Sequence, residues 1–215
     1  MSGPRNTNSA VGSVADVLRA EIISGDLRPG DHLREIVIAR RFGVTRGVAR
    51  EALRLLVGEG LATHEPNRGV FVWQPDAREL WELYSVRAAL EGLAVRLSML
   101  NGHAEELLVR LKTLNDRLAE LGDVGTPEGR QVHVEFHEVA IELADNSRLA
   151  AMWRSVHPMA WLADLPAFIP PTVMPIHQLH LPAIEAIERG DPAEASEAWV
   201  QLILSGAGLH QGLRA

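Results

Sequence analysis

A chain of 215 residues, 47% hydrophobic and 23% charged, has the composition of one large or two modest globular domains, not of a disordered protein. It holds no cysteine, so disulfides and thiolate chemistry are excluded, and a metal would have to use His, Asp or Glu. The net charge of −7 conceals a division. Residues 1–75 carry ten Arg against eight Asp and Glu (+2), and residues 76–215 carry eleven Lys and Arg against twenty Asp and Glu (−9), which suggests two jobs in one chain.

Residues 1–9 are polar and expected to be frayed. They carry no apolar signal-peptide core, and no apolar run approaches the roughly 18 residues of a membrane helix, so a cytoplasmic chain without membrane contact is expected. From Ser13 onward Val14, Val17, Leu18 and Ile22 follow helical spacing, and Ser24-Gly25 ends that helix. Arg28-Pro29-Gly30 marks a turn, and a short helix runs from Glu35 to Phe42 before Gly43. Thr45 is a good N-cap for a helix reaching Gly60, with Val48, Ala52, Leu55 and Leu56 on its buried face. LATHEP and VFVWQP read as two short strands joined by Asn67-Arg68-Gly69.

Gln74-Pro75-Asp76 is the expected boundary, giving domains over 10–75 and 76–215. Beyond it the pattern predicts helices only, over about 76–101, 104–121, 128–145, 147–165, 177–189 and 192–211, with Asn146 as a cap between two of them. Helices of this length suit an antiparallel bundle whose centre can hold a ligand or metal.

A short helix, a glycine-containing turn and a second helix with Arg in its first turn follow helix-turn-helix logic. Arg46 and Arg50 are four apart, leave one face near the helix N-terminus, and can fork onto guanine N7 and O6. Thr45 can donate its hydroxyl to a phosphate, and Gly47 lacks a side chain that would hold the helix out of the groove. Arg34 and Arg40 on the preceding segment, with Arg68 and Gly69 at the tip of a wing, complete the expected contact set for double-stranded operator DNA.

These residues carry a resemblance. Gly25, Leu27, Pro29-Gly30, Leu33, Glu35, Ala39, Gly43 to Arg46, Arg50 to Leu53, Leu56, Gly60-Leu61 and Arg68-Gly69 are similar to the winged helix of the gluconate-repressor (GntR) family of bacterial regulators. Downstream, ELYSVRAALEGLAVRLS, EFHEVAIELADN and HLPAIEAIERGDPAEA resemble the FadR subgroup and its all-helical FCD effector domain. The resemblance covers the chain from about residue 13. It implies a mostly α fold, a homodimer joined through the helical domain, and a small organic-acid effector that resets operator affinity. The expected function is thus a transcriptional regulator, a repressor.

The subgroup often holds a divalent metal with an Asp, a His four residues later and two further His. Carried over, the resemblance places His133 at the Asp position, His137 and His180 at the next two, and Leu202 at the fourth, so one ligand type has changed and one is missing. His133, His137 and His180 still form a sensible set for zinc or nickel with a position open to an effector carboxylate. A metal-free pocket in which the imidazoles hold the acid directly stays open beside it. His177 could contribute. Arg87, matching the family's usual Arg, and Arg130 are candidates for meeting the acid, although Arg87 could equally pair with Glu91. Trp153, Trp161 and Trp199 are expected as core or cavity wall. A metalloenzyme is the competing class. The sequence contains no H-E-x-x-H, no G-x-S-x-G and no carboxylate plainly placed as a base, so no enzyme is expected.

Overall fold

The computed structural model describes residues 7–163 and 175–206, and the chain divides into two compact units, Met1–Asp76 and Ala77–Ala215. The first contains α1 (Thr7–Ser24), α2 (Glu35–Phe42), α3 (Arg46–Gly58), β1 (Ala62–Glu65) and β2 (Gly69–Val72). α1 starts at Thr7, earlier than its apolar spacing indicated. The residues from Thr7 to Ser9 are polar but include no helix breaker, so the helix extends past its buried stripe. Val14, Leu18 and Ile22 of α1, Ile38 and Ala39 of α2, and Val48, Ala52, Leu53 and Leu56 of α3 bury together, closed by Leu33, Leu61 and Val72.

Gly43 takes φ 64° and turns α2 into α3, donating its N–H back to α2 carbonyls. The strands pair antiparallel, from Ala62 opposite Val72 to Glu65 opposite Gly69, with Asn67 at φ 63° in the turn. Leu33 N–H donates to Val70 O at 2.8 Å and His32 bridges to Phe71, which fixes the segment before α2 onto the hairpin.

The second unit contains α4 (Ala77–Leu100), α5 (Ala104–Glu120), a 3-10 turn (Asp123–Gly125), α6 (Pro127–Leu143), α7 (Ser147–Ala163), α8 (Ile176–Leu179), α9 (Leu181–Glu188) and α10 (Pro192–Gly206). α4 packs along α10, α7 and α6, while α5 packs on α6 and α9. Gly92 permits the close approach of α10, since a Cβ there would meet Val200 Cγ2 at 2.6 Å, and Ser196 Oγ donates to Gly92 O at 2.8 Å. Thr126 caps α6 by accepting from Gly129 N–H at 3.0 Å, with Pro127 at the first position. Asn146 caps α7, its Oδ1 accepting from Arg148 and Leu149 N–H.

The single helix expected over 177–189 is two, α8 and α9, meeting at His180. Pro182 is the reason: it has no N–H to give one turn back, while His180 keeps helical torsions (φ −72°, ψ −27°). The expected extensions of α7 to 165 and α10 to 211, and the side chain of Trp161, lie outside the described residues.

Candidate nucleic-acid face and metal centre

Thr45 sits extended (φ −73°, ψ 157°) ahead of α3 and its Oγ1 accepts from Val48 N–H at 3.3 Å, which leaves the hydroxyl hydrogen to donate outward. One turn of helix then presents Arg46 and Arg50 on a shared face, and both turn to the same carboxylate, Glu35. Arg50 meets it in a fork, Nε to Oε1 at 2.8 Å and Nη2 to Oε2 at 3.0 Å, while Arg46 Nη2 stands 3.7 Å from Oε2. A Cβ on Gly47 would meet Thr45 Oγ1 only at 3.8 Å, so packing does not demand a glycine there.

His32, Arg34, Glu35, Ile36, Arg46, Arg50 and His64 line a concavity of about 470 Å³ on this face. Arg34 is exposed, its Nε 3.4 Å from His32 Nδ1, and Arg40 is exposed on the last turn of α2. At the hairpin tip Arg68 pairs with Glu65 and lies over the Phe71 ring at 5.2 Å. Gly69 has φ 112°, a torsion that favours glycine, while the His32 Nε2 that a Cβ would meet at 2.7 Å is the end of an exposed side chain that can move aside.

In the second unit His133 and His137 leave α6 on one face and meet His180, which the α8–α9 junction presents. All three are buried, and their ligand atoms lie within 4.8 Å of one another. His180 stacks on Phe136 at 3.8 Å between ring centres and on His133 at 5.3 Å, and Phe136 stacks on Trp199 at 5.3 Å.

The other ring nitrogens decide what the cluster can do. His137 Nδ1 lies 2.8 Å from Glu91 Oε2, and His180 Nδ1 lies 2.9 Å from Asn115 Oδ1. With each Nδ1 donating, the Nε2 atoms of both rings are bare and available to a cation. His137 Nε2 stands 3.1 Å from His133 Nε2. Metal–nitrogen bonds of roughly 2.0–2.1 Å at a tetrahedral angle separate ligand nitrogens by about 3.4 Å, so the three imidazoles fit such an ion with small side-chain adjustments.

Burial alone would raise the Glu91 carboxyl, but Arg87, His137 and Trp199 hold it well below the usual carboxylate range. It accepts from Arg87 Nε at 2.6 Å and from Trp199 Nε1 at 3.0 Å, with Trp153 Nε1 at 3.4 Å. Burial first, then His133 and His137, push His180 well below its ordinary value, so this ring is neutral.

The structure gathers His133, His137 and His180 and places Arg87 behind them, buried and paired with Glu91. Arg130 is directed to the 3-10 turn, its Nη1 donating to Val124 O at 3.2 Å. His177 is held by Asp123 through both its N–H and its ring, apart from the cluster's hydrogen bonds. Trp153 and Trp199 are buried core, and Leu202 is buried on α10.

Sequence reasoning missed Asn115, and it named Glu91 only as a partner of Arg87. The signal for Asn115 was there: it interrupts the buried stripe Leu107, Leu111, Asn115, Leu118 of α5, and a polar residue on such a stripe needs a partner. No helix among the described residues is long and apolar enough to cross a membrane.

Comparison with known proteins follows the same division. Residues 10–72 match the bacterial regulatory proteins of the gntR family, and residues 82–205 match the FCD domain. A protein of Paenarthrobacter nicotinovorans named "Probable D-xylose utilization operon transcriptional repressor" is 33% identical over 203 residues, covering 90% of this chain and 86% of the relative. The gluconate operon transcriptional repressor of Bacillus subtilis is 31% identical over 147 residues, 68% of this chain and 60% of that one. The crystal structure of a GntR regulator from Rhodococcus sp. RHA1 superposes with a TM-score of 0.67 at 29% identity, covering 92% and 93% of the two chains. The Escherichia coli protein McbR/YncC shares the fold, with a TM-score of 0.71 at 22% identity over 94% and 97%. The two repressors and the Rhodococcus protein are transcriptional regulators and not enzymes, and with a winged helix that implies DNA binding followed in sequence by an FCD domain, this chain belongs to the GntR family of bacterial transcriptional regulators.

Proposed function

We propose that the protein is a homodimeric, cytoplasmic repressor whose operator affinity is set by a small organic acid, held through a divalent metal on His133, His137 and His180. Charge carries this reading. Among the described residues, the fixed charges beside the imidazoles are Glu91 and Arg87, which cancel in one ion pair, and His180 is neutral. A carboxylate entering beside a neutral His180 and a cancelled ion pair gains little, whereas a zinc or nickel ion supplies two positive charges and an open coordination position for the acid. Glu91 and Asn115 turn the proton-free nitrogens inward, and Arg87 keeps Glu91 ionised rather than meeting the acid itself.

On the DNA side, Arg46 and Arg50 are the base readers, with Arg34, Arg40, Thr45, Gly47 and the wing residues Arg68 and Gly69 at the backbone and minor groove. Support for the dimer comes from α4, where Val86, Leu93 and Leu100 repeat every seven residues and are 48%, 44% and 61% exposed. This apolar stripe matches a second copy of itself across a two-fold axis.

The test is elemental analysis of protein purified without chelators or a His-tag, expected to give zinc or nickel near one equivalent per chain. His137→Ala should lose that metal and the response to organic acids while DNA binding without effector survives. Metal-free protein that still responds to an acid refutes the metal-dependent version.

A further inference from the structure

We propose that Glu35 is a positioning residue that aims Arg50, and through the shared carboxylate Arg46, at base edges, so that it governs discrimination between sequences more than affinity for DNA. The inference rests on the reading of α3 as the recognition helix.

The guanidinium of Arg50 has two hydrogen-bonding edges, and Glu35 takes the one formed by Nε and Nη2, at 2.8 and 3.0 Å. That leaves the Nη1–Nη2 edge for another acceptor, and a guanine offers O6 and N7 in matching geometry. Glu35 therefore does not block the arginine; it orients it.

The carboxylate is itself held on rigid backbone. Glu35 opens α2, Leu33 two residues earlier is buried and tied to β2, and the first turn of α2 bonds back to Arg34 O from Val37 and Ile38. Arg50 hydrogen-bonding lowers the Glu35 carboxyl from its ordinary value, which keeps it ionised.

Stability does not account for the arrangement. Arg50 and Arg46 are mostly exposed, and surface ion pairs contribute little to folding. Among the described residues of this unit, the carboxylates of Asp16, Glu21, Glu51, Glu59 and Glu65 each engage one arginine, whereas Glu35 gathers two from the same helix face. What the arrangement does supply is preorganisation: a long side chain whose rotamer freedom is restricted before DNA arrives loses less on binding. A carboxylate next to the groove also repels phosphates at every sequence alike, which penalises binding where the arginines find no guanine.

The experiment uses full-length protein, a 30-base-pair duplex selected from a random library by the wild type, and a scrambled duplex of equal composition. Glu35→Gln keeps the size and removes the charge. Its thermal midpoint should match wild type, its affinity for the selected duplex should fall, and its affinity for the scrambled duplex should hold or rise. The ratio of the two should drop roughly tenfold or more, because a lost bidentate contact costs about that factor or above. In an Arg50→Ala background, Glu35→Gln should change the ratio by less, because only Arg46 is then left for the carboxylate to aim. An unchanged ratio in the single variant overturns the proposal, and so does an equal loss without Arg50, which would mean that Glu35 acts through something else. If Arg46→Ala and Arg50→Ala both bind the selected duplex like wild type, the recognition-helix reading itself has failed, and the proposal falls with it.

Discussion

Replacing Glu91 by Gln tests the electrostatic centre of the helical unit. The carboxylate is fully buried and receives Arg87, His137 and Trp199 within 3.0 Å, so one side chain of α4 joins α6 and α10. Glutamine fills the same volume but leaves the equally buried Arg87 guanidinium without its counter-charge, and breaking a buried pair in this way costs about 3–5 kcal/mol. At about 2–4 °C per kcal/mol for a chain of this size, the thermal midpoint should fall by roughly 6–20 °C. Circular dichroism on full-length protein in chelator measures this without a contribution from metal. Removing both charges, as Arg87→Met with Glu91→Leu, should be less harmful than Glu91→Gln alone. The pH dependence has a definite sign. The native carboxyl lies well below its unfolded value of about 4.3, so its stabilisation is complete above that pH and is lost only as pH falls through the lowered native value. The contribution of this carboxyl to the difference between wild type and variant should therefore begin to shrink only below about pH 4.3. A midpoint shift under 3 °C, or a double variant worse than the single one, would refute the reasoning.

Arg68→Ala on the wing should weaken binding to all duplexes alike and reduce the slope of log affinity against log salt by about 1 per half-site; fluorescence anisotropy over a salt series measures it, and an unchanged slope places the wing away from phosphates. Leu202→His restores a ligand type at the family's fourth position and should tighten zinc or nickel retention at least roughly tenfold in a chelator competition; equal retention would mean that position 202 of α10 does not face the three histidines. Leu93→Glu, at the middle of the exposed α4 stripe, should yield monomers by light scattering with helix content intact, because two like charges would meet at a two-fold axis; a surviving dimer assigns the interface to another face.

Sequence periodicity carried the architecture because the two units obey local rules. Gly43, Thr45, Thr126-Pro127 and Asn146 mark helix ends by chemistry that acts within a few residues, and the structure uses each of them so. The division at His180 was misread as continuous because Pro182 sits inside a good apolar pattern, where hydrophobic spacing outvotes a single missing N–H. The pairing of His133 with His137 follows from helical geometry, but their meeting with His180 spans more than forty residues and came only from the family resemblance. No local pattern states that Asn115 lies behind His180 or that Glu91 lies behind His137, contacts that span 65 and 46 residues. Those two decide which nitrogen each ring turns inward, and so whether three buried imidazoles form a cation site or a hydrogen-bonded core. Glu35 shows the same limit at shorter range: it lies fifteen residues from Arg50, and reads in sequence as an ordinary acidic first-turn residue of α2. Side chains that reach a base or an ion are recognisable by type, whereas those that orient them are common residues made specific by tertiary contact alone.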